Sequence, residues 1–350
     1  MKLEQMPRYP LLCGFTPLQR MENLEQALGC GPLYIKRDDL TPLGLGGNKT
    51  RTAEHAFRLA ALNMPAMQFV MYSTILCILW FGGRLVTVGG VQTNHGRLTA
   101  AAAAKAGLAC TLVLDGARPE KLSGNLLLDC LLGASLVYTD GRSTSAVIEE
   151  TLAALQAAGR APYFIPEGGS NAVGSAGYLA MVPELLAQAD SLPVPPARLV
   201  CTMGSLGTFA GLWLGARAFG APFSVTGVAV NPTTGYTREK AAALVNEMSA
   251  AYGLDIAAAP EDMDIIYADA AHDYAGPGYN VPDAKTRGAV ELLARTEGIF
   301  LDPCYTAKSF RGFCDIAREL DGGAIFVHTG GTPALWTQEH LDAFAADYWN

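Results

Sequence analysis

The stretch "RLVTVGGVQTNHGRLTAAAAAKAGLACTLVL", Arg84–Leu114, decides the fold class. "RLVTVGG" is a short apolar run that ends in glycines. "NHGRLTAAAAAKAG" is an alanine-rich helical segment closed by Gly107, and "CTLVL" is a second apolar run. Strand, helix, strand is the unit that joins parallel strands. The alternation continues with "NLLLDCLLGA" as helix, "SLVYT" as strand, "SAVIEETLAALQAAG" as helix and "PYFIP" as strand. A glycine loop, "EGGSNAVGSAG", and the helix "YLAMVPELLAQ" follow. It resumes with "ARLVCTM", "GTFAGLWLGARAFG" and "FSVTGVAV". Farther on come the helix "DAKTRGAVELLARTEG", the strand "IFLDP", the helix "YTAKSFRGFCDIAREL" and the strand "AIFVHTGGTP". Apolar strands alternating with helices predict an α/β protein with mostly parallel sheets covered on both faces. A break near Pro166–Asn171 marks a crossing between two such layers.

The chain has 350 residues, of which 50% are hydrophobic and 17% charged, enough for a large core. The net charge is −8 and no basic run exceeds two residues, which argues against nucleic acid and anionic membrane as partners. Eight cysteines (Cys13, Cys30, Cys77, Cys110, Cys130, Cys201, Cys304, Cys314) are scattered without a CxxC pair. They read as reduced thiols of a cytoplasmic protein rather than as a disulfide framework or zinc site. "MKLEQMPRYPLL" carries no apolar signal core, so no targeting segment is expected there.

Ligands of open α/β sheets sit beyond the carboxyl ends of the strands. The polar and glycine-rich loops all follow expected strand ends: "GGVQTNHGR", "EGGSN", "GSLGT", "DPCYTAK" and "HTGGT". A further glycine turn, "LTPLGLGGNKTR" (Leu40–Arg51), delivers a single lysine, Lys49, to the start of a helical run. Such a lysine suits a surface position, a phosphate contact or covalent catalysis.

"CTMGSLGTFAGL" places Gly204, Ser205, Leu206, Gly207 and Thr208 between strand and helix. Free backbone N–H groups there suit a phosphate, although an ordinary turn has the same composition. The dinucleotide pattern GxGxxG and the Walker pattern are both absent. Thr93 and Asn94 open the helix after the Val86–Gly90 run, either as a cap or as a seat for a carboxylate. His95 follows them, and the histidines show no metal spacing. Tyr305 and Thr306 stand at another helix start, and Tyr279 lies in the turn-rich "AGPGYNVP". A lysine on a glycine turn, a glycine-rich cup without a nucleotide fingerprint and a polar helix start together suit pyridoxal phosphate chemistry. There the lysine amine condenses with the cofactor, and the ring accepts electrons.

The segments "YIKRDDLTPLGLGGNKTR", "VTVGGVQTNHGRLTAA", "PEGGSNAVGSAGY", "LDPCYTAKSF" and "FVHTGGTPAL" resemble, in order, the signature segments of one family. It is the family of D-cysteine desulfhydrase and ACC (aminocyclopropane carboxylate) deaminase, fold-type II, tryptophan-synthase-like pyridoxal phosphate enzymes. The resemblance implies two open, twisted, mostly parallel α/β domains with pyridoxal 5'-phosphate in the cleft between them. Residues 1–49 and 166–350 would form the larger, cofactor-binding domain and residues 50–165 the smaller one.

The resemblance also implies roles. Lys49 would hold the cofactor and move the Cα proton. Asn94 would bond the cofactor's ring hydroxyl, and Gly204 to Thr208 would receive its phosphate. Thr93, Asn94 and His95 would meet the substrate, with Thr93 replacing a serine that contacts its carboxylate. Tyr279 and Tyr305 match the two active-site tyrosines. In the deaminase branch a glutamate follows the second tyrosine and faces the pyridine nitrogen, and a leucine follows the histidine of "HTGG". Thr306 and Thr329 occupy those places here, as in the desulfhydrase branch. A neutral hydroxyl supplies no charge to the ring nitrogen and makes a weaker electron sink, which suits elimination of a good leaving group.

The resemblance lapses over about 63–83, where "FVMYSTILCILWFGG" is almost wholly apolar. The run is too short and interrupted for a membrane span of roughly twenty residues. A surface insertion at a subunit interface or a gene-model artefact would account for it. The expected activity is α,β-elimination from D-cysteine or a related β-substituted amino acid, giving pyruvate, ammonia and sulfide. ACC deamination and L-cysteate sulfo-lysis are alternatives within the family, and cofactor binding without turnover is the alternative outside it. No metal is expected, and a cytoplasmic homodimer is.

Overall fold

The computed structural model describes residues 10–62, 83–231 and 235–349. The apolar stretch 63–82 lies outside them. The strands are β1 (Leu18–Arg20), β2 (Leu33–Arg37), β3 (Gly83–Gly90), β4 (Ala109–Asp115), β5 (Ser135–Tyr138), β6 (Ala161–Ile165), β7 (Pro196–Met203), β8 (Ser224–Ala229), β9 (Ile265–Ile266) and β10 (Gly323–His328). The helices are α1 (Glu22–Leu28), α2 (Lys49–Leu62), α3 (Asn94–Ala106), α4 (Gly124–Leu131), α5 (Thr144–Ala157), α6 (Ala172–Ala189), α7 (Gly207–Ala218), α8 (Arg238–Tyr252), α9 (Ala284–Glu297), α10 (Thr306–Glu319) and α11 (Gln338–Trp349).

The strands make two sheets. One has the order β1-β2-β10-β7-β8-β9 and the other β5-β4-β3-β6. Every pairing is parallel except β1 on β2. The pleat explains why the strands read as continuous apolar runs, since neighbouring side chains point to opposite faces and both faces are covered. In the larger sheet Leu199, Cys201, Ile325 and Val327 enter the core on one face, while Val200, Ala324 and Phe326 enter the core on the other. In the smaller sheet Leu85, Leu112 and Leu114 face one core, and Val86, Val88 and Val113 the other.

The smaller sheet is drawn wholly from residues between Gly83 and Ile165. Helix α2 packs both on α3, beside that sheet, and on α6, beside the larger one. One expected strand is absent. "IFLDP" shows strand-like alternation but forms no ladder. Ile299 and Leu301 fill the core beside α10. The segment's polar backbone is served by side chains instead: Phe300 O pairs with His328 Nε2 at 2.9 Å, and Asp302 N donates to Thr306 Oγ1 at 2.8 Å. Satisfied in this way, the backbone has no need of a sheet.

Candidate active site

The carboxyl ends of β3, β6, β7 and β10 converge on a cavity lined by Lys49, Thr93, Asn94, Ser205, Tyr305 and Thr329 among others. Lys49 reaches it from the glycine turn. Gly46 has φ 75°, and a Cβ there would stand 1.8 Å from the Asp39 carbonyl, so only glycine closes this turn. Asn48 N donates to Thr329 O at 3.0 Å and stitches the turn to the loop after β10. Arg97, from α3, donates to Gly44 O and, at 3.1 Å, to Gly46 O. The turn therefore holds Lys49 at the first position of α2 between both sheets.

Lys49 is half-buried, and its Nζ donates to the Gly168 carbonyl at 2.7 Å. Desolvation lowers its pKa to about 8, against the pull of Glu167. At pH 7 about one amine in ten is then neutral, against about one in three thousand for an ordinary lysine.

On the far wall, Gly204, Ser205 and Thr208 precede and open α7. Its N-cap residue, Leu206, offers no side-chain acceptor, so the first N–H groups at the cavity end of β7 are not capped from within the helix. Asn48 Nδ2 donates to Thr208 Oγ1 at 3.0 Å, and Gly207 N donates to Ser170 Oγ at 3.3 Å. Leu206 is buried and does not line the cavity, nor does Gly207.

At the start of α3 the two readings of Thr93 coincide. Its Oγ1 accepts from Gly96 N at 3.2 Å as a helix cap, and the same residue lines the cavity beside Asn94 and His95. His95 Nε2 pairs with Thr87 Oγ1 at 2.8 Å. Desolvation, with the nearby Lys49 charge, drives its pKa down to about 3, so it is neutral at physiological pH.

Tyr305 lines the cavity, and Tyr279 packs edge-on against it, ring centroids 5.8 Å apart. Gly204 permits this approach, because a Cβ there would lie 2.6 Å from the Tyr305 ring. Tyr279 does not line the main cavity. It lines a second one with Gly90, Gln92 and Glu339, so one tyrosine of the pair borders each space.

Thr329 lines the main cavity and Thr306 does not. The Thr306 hydroxyl donates to Asp302 Oδ1 at 2.6 Å behind the wall. Asp302 went unnoticed in the sequence, yet it organises this corner. Its carboxylate accepts from the backbone N of Cys304 at 2.9 Å and from those of Tyr305 and Thr306 at 2.8 Å. An aspartate just ahead of a helix start was the available signal. Asn48, Glu167, Gly168, Thr202 and Gly330 also line the cavity and were not singled out. Among the described residues no group of histidine, cysteine, aspartate and glutamate could hold a metal, and no helix is long and apolar enough to cross a membrane.

A family model described as pyridoxal-phosphate dependent enzyme matches residues 10–330. The chain belongs to this family. Among pyridoxal-phosphate dependent enzymes it is similar to D-cysteine desulfhydrase of Yersinia enterocolitica, 36% identical over 345 residues, which are 96% of this chain and 97% of that protein. A protein of Pyrococcus abyssi, provisionally named a 1-aminocyclopropane-1-carboxylate deaminase, is 34% identical over 339 residues, 95% of this chain and 94% of the other. The crystal structure of an ACC deaminase homologue matches with a TM-score of 0.81 at 32% identity, covering 98% of this chain and 97% of its own. A fungal L-serine ammonia-lyase from Rhizomucor miehei shares the fold at TM-score 0.63 and 18% identity, covering 96% of this chain and 98% of its own. The fold is thus that of the fold-type II pyridoxal-phosphate dependent enzymes.

Proposed function

We propose that this chain binds pyridoxal 5'-phosphate in the main cavity and eliminates hydrogen sulfide from D-cysteine, leaving pyruvate and ammonia. The observation that carries the reading is Lys49, an amine of lowered basicity that projects into the cavity and rests on a carbonyl rather than a carboxylate. The rest of the wall fits the same group. The start of α7 with Gly204, Ser205 and Thr208 suits a phosphate, and Asn94 suits a ring oxygen. The cofactor would lie between a larger unit, 1–49 with 166–350, and a smaller one, 50–165.

When bound, the cofactor supplies an electron sink for the Cα carbanion. The chain's own groups do the remainder. Lys49, once neutral, takes the proton from the substrate Cα. Thr93, at the start of α3, holds the substrate carboxylate with its hydroxyl. Thr329, on the cavity wall, would offer the bound ring an uncharged hydroxyl rather than a carboxylate. Thr306 stands behind the wall, where its hydroxyl donates to Asp302. The tyrosine pair would close the cavity toward the second space and limit water at the reacting carbon. The similarity to D-cysteine desulfhydrases and the threonine at position 329 favour elimination over ring opening.

A panel of D-cysteine, L-cysteine, β-chloro-D-alanine, cysteate and ACC tests the substrate. Pyruvate and sulfide from D-cysteine are expected. Turnover of ACC alone to 2-oxobutanoate would replace the reading with the deaminase one. Seven described cysteines are free thiols, in keeping with a cytoplasmic enzyme, and a two-fold dimer is the expected assembly, to be read by light scattering.

Two further results are expected. Only the neutral amine condenses with the cofactor aldehyde, and the Lys49 pKa is lowered to about 8. Cofactor capture by the apo-protein, followed by stopped-flow absorbance, should rise about tenfold per pH unit below that value and level off above it. A plateau beginning near pH 10 would mean that Lys49 is an ordinary lysine. Thr93→Val keeps the shape and loses the hydroxyl. It should lower kcat/KM by at least about tenfold, while Thr93→Ser retains most activity. Equal activity of the valine variant would leave Thr93 a helix cap alone.

A further inference from the structure

The direction of the Asn94 amide is imposed from behind the cavity wall. Asn125, at the start of α4, is 0% exposed and does not line the cavity. Its Nδ2 donates to the Gln92 carbonyl at 2.8 Å and to Asn94 Oδ1 at 2.9 Å. Its backbone N donates to Gln92 Oε1 at 2.9 Å. On the other side, Arg97 Nη2 lies 3.5 Å from the same Asn94 Oδ1 while also holding Gly46 O.

These contacts admit one assignment. A carbonyl only accepts, so the atom of Asn125 facing Gln92 O is its nitrogen. A guanidinium only donates, so the atom of Asn94 facing Arg97 is its oxygen. Asn94 Oδ1 is thus held between two donors. Its Nδ2 donates to no group among the described residues and is the free polar atom of a residue on the cavity wall. The glycine turn, the α3 start and α4 are tied through this one amide.

We propose that Asn125 is a positioning residue which, with Arg97, turns Asn94 so that its Nδ2 faces the cavity as the donor to the cofactor's ring oxygen. This rests on the reading of Asn94 given above. A donor there stabilises the ring oxygen as an anion, whereas a reversed amide would set oxygen against oxygen.

The test is a double-mutant cycle on cofactor binding by the apo-protein. Affinities are measured by equilibrium dialysis, and the bound cofactor's absorbance is titrated against pH. Asn125→Ala should weaken affinity by about tenfold, the scale of one hydrogen bond to a charged group, and raise the pH midpoint of the absorbance change. In the Asn94→Ala background the same substitution should change affinity less than about twofold. Asn125→Asp, which replaces the donor by an acceptor and reverses the amide, should weaken affinity more than the alanine does. An equal loss with and without Asn94, or an unmoved midpoint, would overturn the positioning role and leave the cofactor site intact as a reading. Unchanged affinity in Asn94→Ala alone would overturn both. If neither Asn125 variant folds, judged by circular dichroism, the residue is structural and the proposal falls.

Discussion

Lys49→Ala is expected to abolish turnover, with kcat down by at least about 10³-fold, and to leave borohydride no lysine on which to fix the cofactor. Two functions leave with one side chain. In the proposed function the amine is both the covalent partner of the cofactor and the base at the substrate Cα, and proton transfer alone contributes typically 10²–10⁴-fold. Lys49 Nζ is the one lysine nitrogen placed at the cavity, against Gly168 O, among the described residues. Peptide mapping after borohydride treatment of the unmodified enzyme should find the label on the peptide that contains Lys49. A label on any other lysine would sink the assignment. The variant should also show what the site costs. Desolvation lowers the Lys49 pKa from 10.5 to about 8, so the folded state binds this proton less readily than the unfolded one. The penalty is fully present below pH 8 and is relieved as pH rises toward 10.5. Apo Lys49→Met, which keeps the chain length and discards the charge, should therefore melt above the parent apo-protein at pH 7. The difference should shrink as pH rises above 8.

Asp38→Ala carries the largest expected effect on stability. Asp38, Glu184, Lys36 and Arg51 form a buried network, whose Arg51 lies two residues beyond Lys49. Arg51 donates to Asp38 through Nε at 2.8 Å and Nη2 at 2.9 Å, and to Glu184 through Nη1 at 2.9 Å. Tyr178 and Thr16 hydroxyls each donate to Asp38 at 2.7 Å, and Lys36 donates to Glu184. Two carboxylates balance two cations. Removing Asp38 leaves a buried excess cation, at a cost of about 3–5 kcal/mol, which lowers Tm by on the order of 10 °C. Desolvation works against the Asp38 carboxylate, but Arg51 prevails and holds its pKa below 3.8. Its stabilisation is therefore present above the ordinary carboxylate range and is lost as pH falls through the lowered value. The parent should show this acid limb and the variant should lack it. A variant with unchanged Tm at pH 7 would show that the network contributes nothing net. Because Arg51 lies on α2, cofactor capture should slow as the helix carrying Lys49 loosens from β2 and α6.

Much of this protein was legible before any coordinates. The alternation around Arg84–Leu114 determined parallel sheets, because apolar runs covered on both faces leave few other arrangements. The lysine on its glycine turn was legible because Gly46 admits no side chain, and that constraint is local. The loops after β3, β6, β7 and β10 were legible as a site because strand polarity alone places them at one end of the sheets.

What escaped the sequence was each choice made between distant residues. "IFLDP" has the pattern of a strand, and only the Thr306 hydroxyl and His328, by bonding its backbone, decide that it is not one. Thr306 stands next to Tyr305 in the chain, yet its hydroxyl turns to Asp302 and leaves the cavity wall to Thr329. Asn94 was visible as a helix start, but the direction of its amide is set by Asn125, 31 residues away. The counter-charges of Arg51 lie 13 and 133 residues from it. Local pattern determined which elements form and where a ligand must sit, because propensity, turn chemistry and periodicity act over a few residues. Hydrogen-bond direction and charge balance depend on which partners the packed elements bring within about 3 Å, and tertiary structure alone decided those.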